Sequence, residues 1–450
     1  MATNSYVQVP PDSTGKKLHT QQHTVDGAAV QVQVFHQADP SNPSSIQKVD
    51  TRGQASVRFA EGSPTIDAFN NLRIGEGTIL GGYEQSNGDM SDLFQDITSG
   101  TASITYVPTA SQTVLAVGSA SGDSITRTTN RYHYYQPGVG QFALFTCALG
   151  DTGKANNTRR WGYFDQNDGV FFEMQGTTFN IVLRSSTSGS VVETRVPQNQ
   201  WNQDKLDGTG PSQMTIDPSK ANFYGLDLAW LGVGAVRVGV WAPDGSRWPS
   251  HVFQNPNSNI GAYMRRGSLP LRFENFNTGP TASATEFKQL CSAVYSQART
   301  DYTFWRFSDI ERMTPVTVTT NTPILSMRVK AGSRVGIYPE ALNLLVQGGS
   351  VKLTIIDDAV LTGDTWSISG IGSAEGDITA TAFTGGAPFY SFFAGEGVHH
   401  KELADYYELN DEGYHRLADD SDSYTFTLVA TKLTGTTVTI TAGLNYKELR

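Results

Sequence analysis

An all-β protein is what this sequence predicts, and three observations carry the prediction. Short runs of β-branched and aromatic residues recur along the chain, each closed by Asn, Asp, Gly or Pro. Composition agrees: 45 of the 450 residues are Gly and only 17% are charged, a balance that favours sheets over helices. The texture also changes twice, near residue 60 and near Pro315, in a chain too long for one core. The expected architecture is an extended N-terminal arm over 1–60, a large jelly-roll-like β-sandwich over 61–315 and a smaller C-terminal β-sandwich over 316–450.

In the arm, Val7-Gln8-Val9-Pro10-Pro11-Asp12 reads as extended, because consecutive prolines favour polyproline geometry, and Lys16-Lys17 follow a turn. Val30-Gln31-Val32-Gln33-Val34 alternates cleanly and predicts one strand. Residues 38–45 read as a linker. A segment with one strand and no core of its own packs on something else or stays free. Val9, Pro10, Pro11, Asp12, Lys16, Lys17, Val30, Val32 and Val34 are therefore the candidate contacts of an arm that docks on a neighbouring subunit through main-chain hydrogen bonds. The alternative is a free tail.

The central region opens with strands such as Ser103-Ile104-Thr105-Tyr106-Val107 and Gln141-Phe142-Ala143-Leu144-Phe145-Thr146. Arg160-Trp161-Gly162-Tyr163-Phe164 then enters the polar turn Asp165-Gln166-Asn167-Asp168 and leaves as Val170-Phe171-Phe172-Glu173, a hairpin pattern. Asp165 and Asp168 read as side-chain caps of that turn, with a metal or sugar site as the alternative. Residues 201–212, rich in Gly, Asp and Pro, read as a long structured loop across one end of the sandwich. Trp230 and Trp241 sit in apolar strands and belong to the core, whereas Trp201 and Trp248, in polar surroundings, are the candidates for stacking on a glycan. Residues 284–296 and 309–313 carry apolar spacings that predict short helices.

From Pro315 on, runs such as Val351-Lys352-Leu353-Thr354-Ile355-Ile356 and Tyr424-Thr425-Phe426-Thr427-Leu428 predict the second sandwich. An acidic insertion over 398–420 interrupts it. Its His399-His400 pair, followed by Glu402, Asp405 and Glu408, reads as a solvated loop, with a metal site as the alternative.

Several functions are disfavoured. A net charge of -10 without any basic run gives no electrostatic support for nucleic-acid binding. No apolar run has membrane-spanning length, so membrane insertion is not expected. The start of the chain lacks the basic and apolar regions of a secretory signal. Neither a phosphate-cradling Gly-rich loop nor a Gly-x-Ser-x-Gly elbow is found, so no enzyme activity and no cofactor are expected. Cys147 and Cys291 read as two buried thiols; a disulfide between them stays open.

Several stretches together resemble the structural proteins of large tailed bacteriophages. They are Val9-Pro10-Pro11-Asp12 through Leu18, Arg160-Trp161-Gly162-Tyr163-Phe164-Asp165 with Gly169-Val170-Phe171-Phe172-Glu173, Trp201-Asn202 with Lys205 through Ser212, and Asp227 with Trp230-Leu231-Gly232-Val233-Gly234. The resemblance spans about the first two-thirds of the chain. It implies a non-enzymatic virion component, part of a tail, neck or baseplate appendage or fibre, assembled in the host cytoplasm. The implied partners are other copies, as a trimer or other cyclic homo-oligomer, and other virion proteins. A capsid-decoration or head-fibre protein, and an adhesin binding host-surface polysaccharide, are the alternatives.

Overall fold

The computed structural model describes residues 4–8, 17–25, 28–33, 38–39 and 42–46, and then 77–449 apart from 92, 244–246, 298–304, 334, 370–371, 405–413 and 415–422. The protein is all-β and divides into two units, Met1–Glu61 and Gly62–Arg450.

In the first unit, β1 (Asn4–Gln8), β2 (Lys17–Val25) and β3 (Ala28–Gln33) form one antiparallel sheet, and β4 (Ala38–Asp39) pairs with β5 (Asn42–Ile46). The expectation of a single strand in an extended arm is corrected here. Asp26-Gly27, the dipeptide between β2 and β3, is a strong hairpin signal, and Val25 pairs directly with Ala28 across it. Lys17 lies in β2 opposite Gln8, and Val30 and Val32 lie in β3 opposite His23 and Gln21. Val9, Pro10, Pro11, Asp12, Lys16 and Val34 fall outside the described residues.

The second unit begins with a sandwich of two antiparallel sheets. One has the order β15 (Val192–Pro197), β14 (Thr178–Ser185), β13 (Gly169–Gln175), β12 (Asn157–Phe164), β19 (Leu271–Asn277), β10 (Ser124–Thr129) and β7 (Phe94–Ser99). The other has the order β18 (Arg247–Phe253), β17 (Val236–Trp241), β16 (Asn222–Leu228), β11 (Gln141–Ala148), β20 (Thr285–Ser296), β9 (Gln112–Val117) and β8 (Ser103–Val107), with β6 (Thr78–Glu84) also on β20. Trp161 is the hub between them. Its ring stacks on Phe172 and Phe179 from its own sheet and meets Tyr224 and Phe287 from the opposite one, at centroid distances of 5.2 to 5.8 Å.

A second sandwich follows. Its four-stranded sheet has the order β21 (Trp305–Val318), β32 (Val438–Leu449), β23 (Gly336–Gln347) and β30 (Gly397–Glu402). Its six-stranded sheet has the order β26 (Ser367–Ser369), β27 (Ala374–Asp377), β22 (Thr322–Val329), β31 (Thr425–Thr434), β24 (Ser350–Asp357) and β29 (Ala387–Ala394). These strands enclose a separate core containing Ile324, Leu342, Leu353, Leu428 and Ile440.

Both predicted helices are strands. In β20 the pairing to β11 skips Leu290, since Thr146 faces Cys291 and Cys147 faces Gln289. That extra residue shifts the in-out alternation, so that Phe287, Leu290, Cys291 and Val294 fall at helix-like spacing within a bulged strand. Residues 309–313 lie inside β21, which pairs with β32 from Trp305 onward. Pro315 sits where that ladder loses register, between Arg312 and Val316, a position where the absent N–H is tolerated. Proline thus marks a break within a strand of the second sandwich, and the sheet begins ahead of it. Both thiols are free; Cys147 is buried as expected, whereas Cys291, expected to be buried, is exposed, because it lies on the outward side of β20 next to the bulge.

Edge strand β7 carries a titrating pair. Arg127 of β10 donates to the carboxylate of its cross-strand partner Asp96 at 2.8 Å. Burial pushes the Asp96 carboxyl up to about 6; Arg127 opposes this and Asp89 adds to it. A folded pKa above the unfolded one means that the native state holds the proton more tightly. Stability from this group is full below about 3.8 and is lost as pH rises through about 6. In urea titrations between these limits, wild type should lose stability relative to Asp96→Asn as pH rises; parallel profiles would rule out this linkage.

Candidate functional site

Antiparallel strands that alternate in direction gather their connections at two ends, and at one end four loops are fastened together. The staple is the turn between β12 and β13. Asp165 Oδ1 accepts from the backbone N–H of Asn167 (2.7 Å) and Asp168 (2.8 Å), and Tyr132 donates its hydroxyl to Asp165 Oδ2 at 3.2 Å. Asp168 reaches further. Its Oδ1 accepts from the backbone of Ser186 (3.0 Å) and of Arg265 (2.9 Å), and its Oδ2 from the Ser186 hydroxyl (2.9 Å). Both carboxylates are buried, and the predicted capping role is the one the geometry shows.

The remaining loops interlock through the backbone. Leu231 N–H donates to the Tyr135 hydroxyl at 3.1 Å, and Tyr263 N–H to Gly232 O at 2.9 Å. Trp230 Nε1 donates to Met264 O at 3.2 Å, and Asn255 Nδ2 to Gly234 O at 2.8 Å. Two glycines make this possible. A Cβ on Gly234 would lie 1.4 Å from Ala229 O, and one on Gly267 would press between the rings of Tyr135 and Trp230, which meet edge-on at 5.5 Å.

The surface so formed has an unusual chemistry for this chain. Segments 135–140, 186–191, 229–235 and 254–268 contain no acidic residue, yet include Arg265 and Arg266. Arg265 is exposed, and Arg266 approaches the buried Asp165 carboxylate at 4.0 Å. Leu231, Val233 and Ile260 are all exposed. Leu231 holds φ of +30°, a conformation uncommon for any residue but glycine, at an exposed position. Apolar loop tips ringed by amides and arginines form a surface suited to contact.

A second charged cluster covers the outward face of the sheet around β13. Glu173 accepts from Arg160 Nε and Arg195 Nε, each at 2.8 Å. Glu274 accepts from Arg272 at 2.7 Å and Arg160 at 3.2 Å, and Glu193 from Arg184 at 2.6 Å. Beneath them, the guanidinium of Arg184 lies 5.0 Å from the Phe171 ring centre and 5.3 Å from that of Phe164. Burial works against ionisation of Glu274 and Glu193, but the surrounding arginines outweigh it and hold both carboxyls below the usual range. Acid catalysis needs a carboxyl pushed the other way, so the cluster has the chemistry of a structural lattice.

Of the two tryptophans selected in the sequence, Trp201 does not supply a sugar platform. Trp201 is 3% exposed, packs edge-on against Phe179 at 5.3 Å and donates Nε1 to Val196 O. Its loop is tied inward by Asp204, which accepts from Leu206 N and Ser212 N, each at 2.8 Å. The Trp248 side chain lies outside the described residues. On β30, His400 bonds to Asn343 and His399 to Gly395 O. Among the described residues no group of three His, Cys, Asp or Glu could hold a metal ion, and no helix is long and apolar enough to cross a membrane. The exposure of Leu231 and Ile260 was not singled out in the sequence; the signal was an apolar side chain alone in a Gly- or Asn-rich stretch.

No protein-family model matches the chain, and no curated protein is similar to it in sequence. Solved structures similar to it include the carbohydrate recognition domain of Emp47p, at 13% identity over 47% of this chain and 92% of that one, with a TM-score of 0.29. Lectin I-B4 from Griffonia simplicifolia, in its metal-free form, is 13% identical over 48% of this chain and 99% of its own (TM-score 0.29). The CBM2 module of the evolved Dit of Lactobacillus casei BL23 phage J-1 is 6% identical over 50% of this chain and 99% of its own (TM-score 0.33). Similarity this distant leaves any functional reading to the chain's own residues.

Proposed function

We propose that this chain is a non-enzymatic structural component of a tailed-phage virion, part of a tail, neck or baseplate appendage or fibre, which works by contact with copies of itself and with other virion proteins. The observation that carries the contact reading is the stapled end of the central sandwich, where Leu231, Val233 and Ile260 are exposed on segments that themselves carry no acidic residue. The buried carboxylates nearest that end are consumed in holding loops, and those on the sheet face are paired with arginines. The virion assignment is supported by the sequence resemblance, and two separately cored sandwiches suit a rigid particle part.

Gold-labelled antibody on intact particles tests the assignment: label clustered at one place on the virion is the expected result, and unlabelled particles alongside abundant protein in the lysate would overturn it. Deleting residues 1–45 should leave a folded chain that fails to enter particles, measured by particle composition. Normal incorporation of the truncated chain would remove the anchoring role from the N-terminal unit.

A further inference from the structure

We propose that the outward face of the seven-stranded sheet binds an acidic sugar, a hexuronate residue of a polysaccharide, across a row of three side chains: Gln95 on β7, Thr128 on β10 and Arg272 on β19. This site does not depend on the virion reading, and either can fail without the other.

Register places the row. Thr128 pairs directly with Gln95 on one side and with Arg272 on the other, so the three side chains leave the same face of adjacent strands. That face is the outward one, because the strand neighbours Phe94 and Phe273 point into the core. Each end of the row keeps bonding capacity unspent. Arg272 is 8% exposed, yet among the described residues it donates only from Nε, to Glu274 Oε1 at 2.7 Å. Its two terminal nitrogens keep their N–H donors for a ligand. At the other end, the buried Oε1 of Gln95 accepts no hydrogen bond. A nearly buried guanidinium and a buried amide oxygen left half used cost stability, and a ligand that completes both recovers it.

The chemistry of the row selects the ligand. A guanidinium fork with both terminal nitrogens unspent matches a carboxylate, which accepts two parallel N–H bonds. Charge agrees: the side chains that these strands turn outward set four arginines against Glu173, Glu193 and Glu274, one positive charge in excess within a chain of net charge -10. Phe164, fully buried, lies against Arg272 with its ring centre 5.7 Å from the guanidinium carbon and supports the fork. The Thr128 hydroxyl and the Gln95 amide, one and two strands away at about 5 and 10 Å, suit the hydroxyls of a sugar ring. Ile97, exposed two residues along β7 on the same face, offers apolar surface to the C–H groups of the ring. A carboxylate and hydroxyls carried on one ring define a hexuronate.

Isothermal titration of the purified full chain with digalacturonate and with methyl glucuronide tests this, with neutral galactobiose and inorganic sulfate as comparisons. The expected result is binding of at least one uronate, about tenfold or more tighter than galactobiose or sulfate. Arg272→Gln should weaken that binding about tenfold or more, and Arg272→Lys, which keeps the charge and loses the fork, should not restore it. Gln95→Met leaves the arginines untouched and should weaken binding about threefold or more. It carries the test if circular dichroism shows that Arg272→Gln fails to fold. No uronate binding, a uronate held no better than galactobiose, sulfate bound as tightly as either uronate, or folded variants that bind like wild type would each overturn the sugar site.

Discussion

Trp161→Ala should cost the central sandwich about 3–5 kcal/mol of stability, because a large, fully buried ring is removed from a site with little room to collapse. Trp161 is 0% exposed and meets aromatic rings from both sheets. Strands hydrogen-bonded on both sides cannot move inward to fill the space, as β12 is held between β13 and β19. Urea unfolding followed by far-ultraviolet circular dichroism measures the change. A loss under about 1 kcal/mol would mean that the neighbouring rings repack freely, against the interlocking described above.

Glu173→Ala should be of similar size, about 3–5 kcal/mol, for an electrostatic reason. Glu173 is 0% exposed and is shared by Arg160 and Arg195, so its removal leaves guanidinium charge poorly compensated on a crowded sheet face. Lys220→Ala is the control. Its pair with Asp217 is open to solvent, where screening leaves little to lose. Equal effects for the two variants would show that the lattice on the sheet face contributes no more than an ordinary surface pair. Adding Arg195→Ala to Glu173→Ala should recover part of the loss, and a double-mutant cycle isolates that coupling.

The sheet architecture was legible because β-strands write their environment into alternate residues, as Ile440 and Leu444 do inside β32. Misreadings arose where one residue altered the local count. Leu290 turned a strand into a helix-like spacing, and Pro315 suggested a boundary inside a paired strand. Trp201 misled for another reason: the polarity of its loop is spent on Asp204 and the backbone, which frees the ring to turn inward. The stapled end was the least legible feature. Asp168 and Arg265 are far apart in sequence, and only the closed sandwich makes them neighbours.

The staple at Asp168 also bears on the kinetics of assembly. Four loops fixed to one another by buried carboxylates and reciprocal backbone bonds have few alternative conformations to surrender when a partner arrives. Association through this end should therefore proceed as a rigid-body encounter whose rate follows collision frequency and ionic strength, with no slow ordering phase after contact.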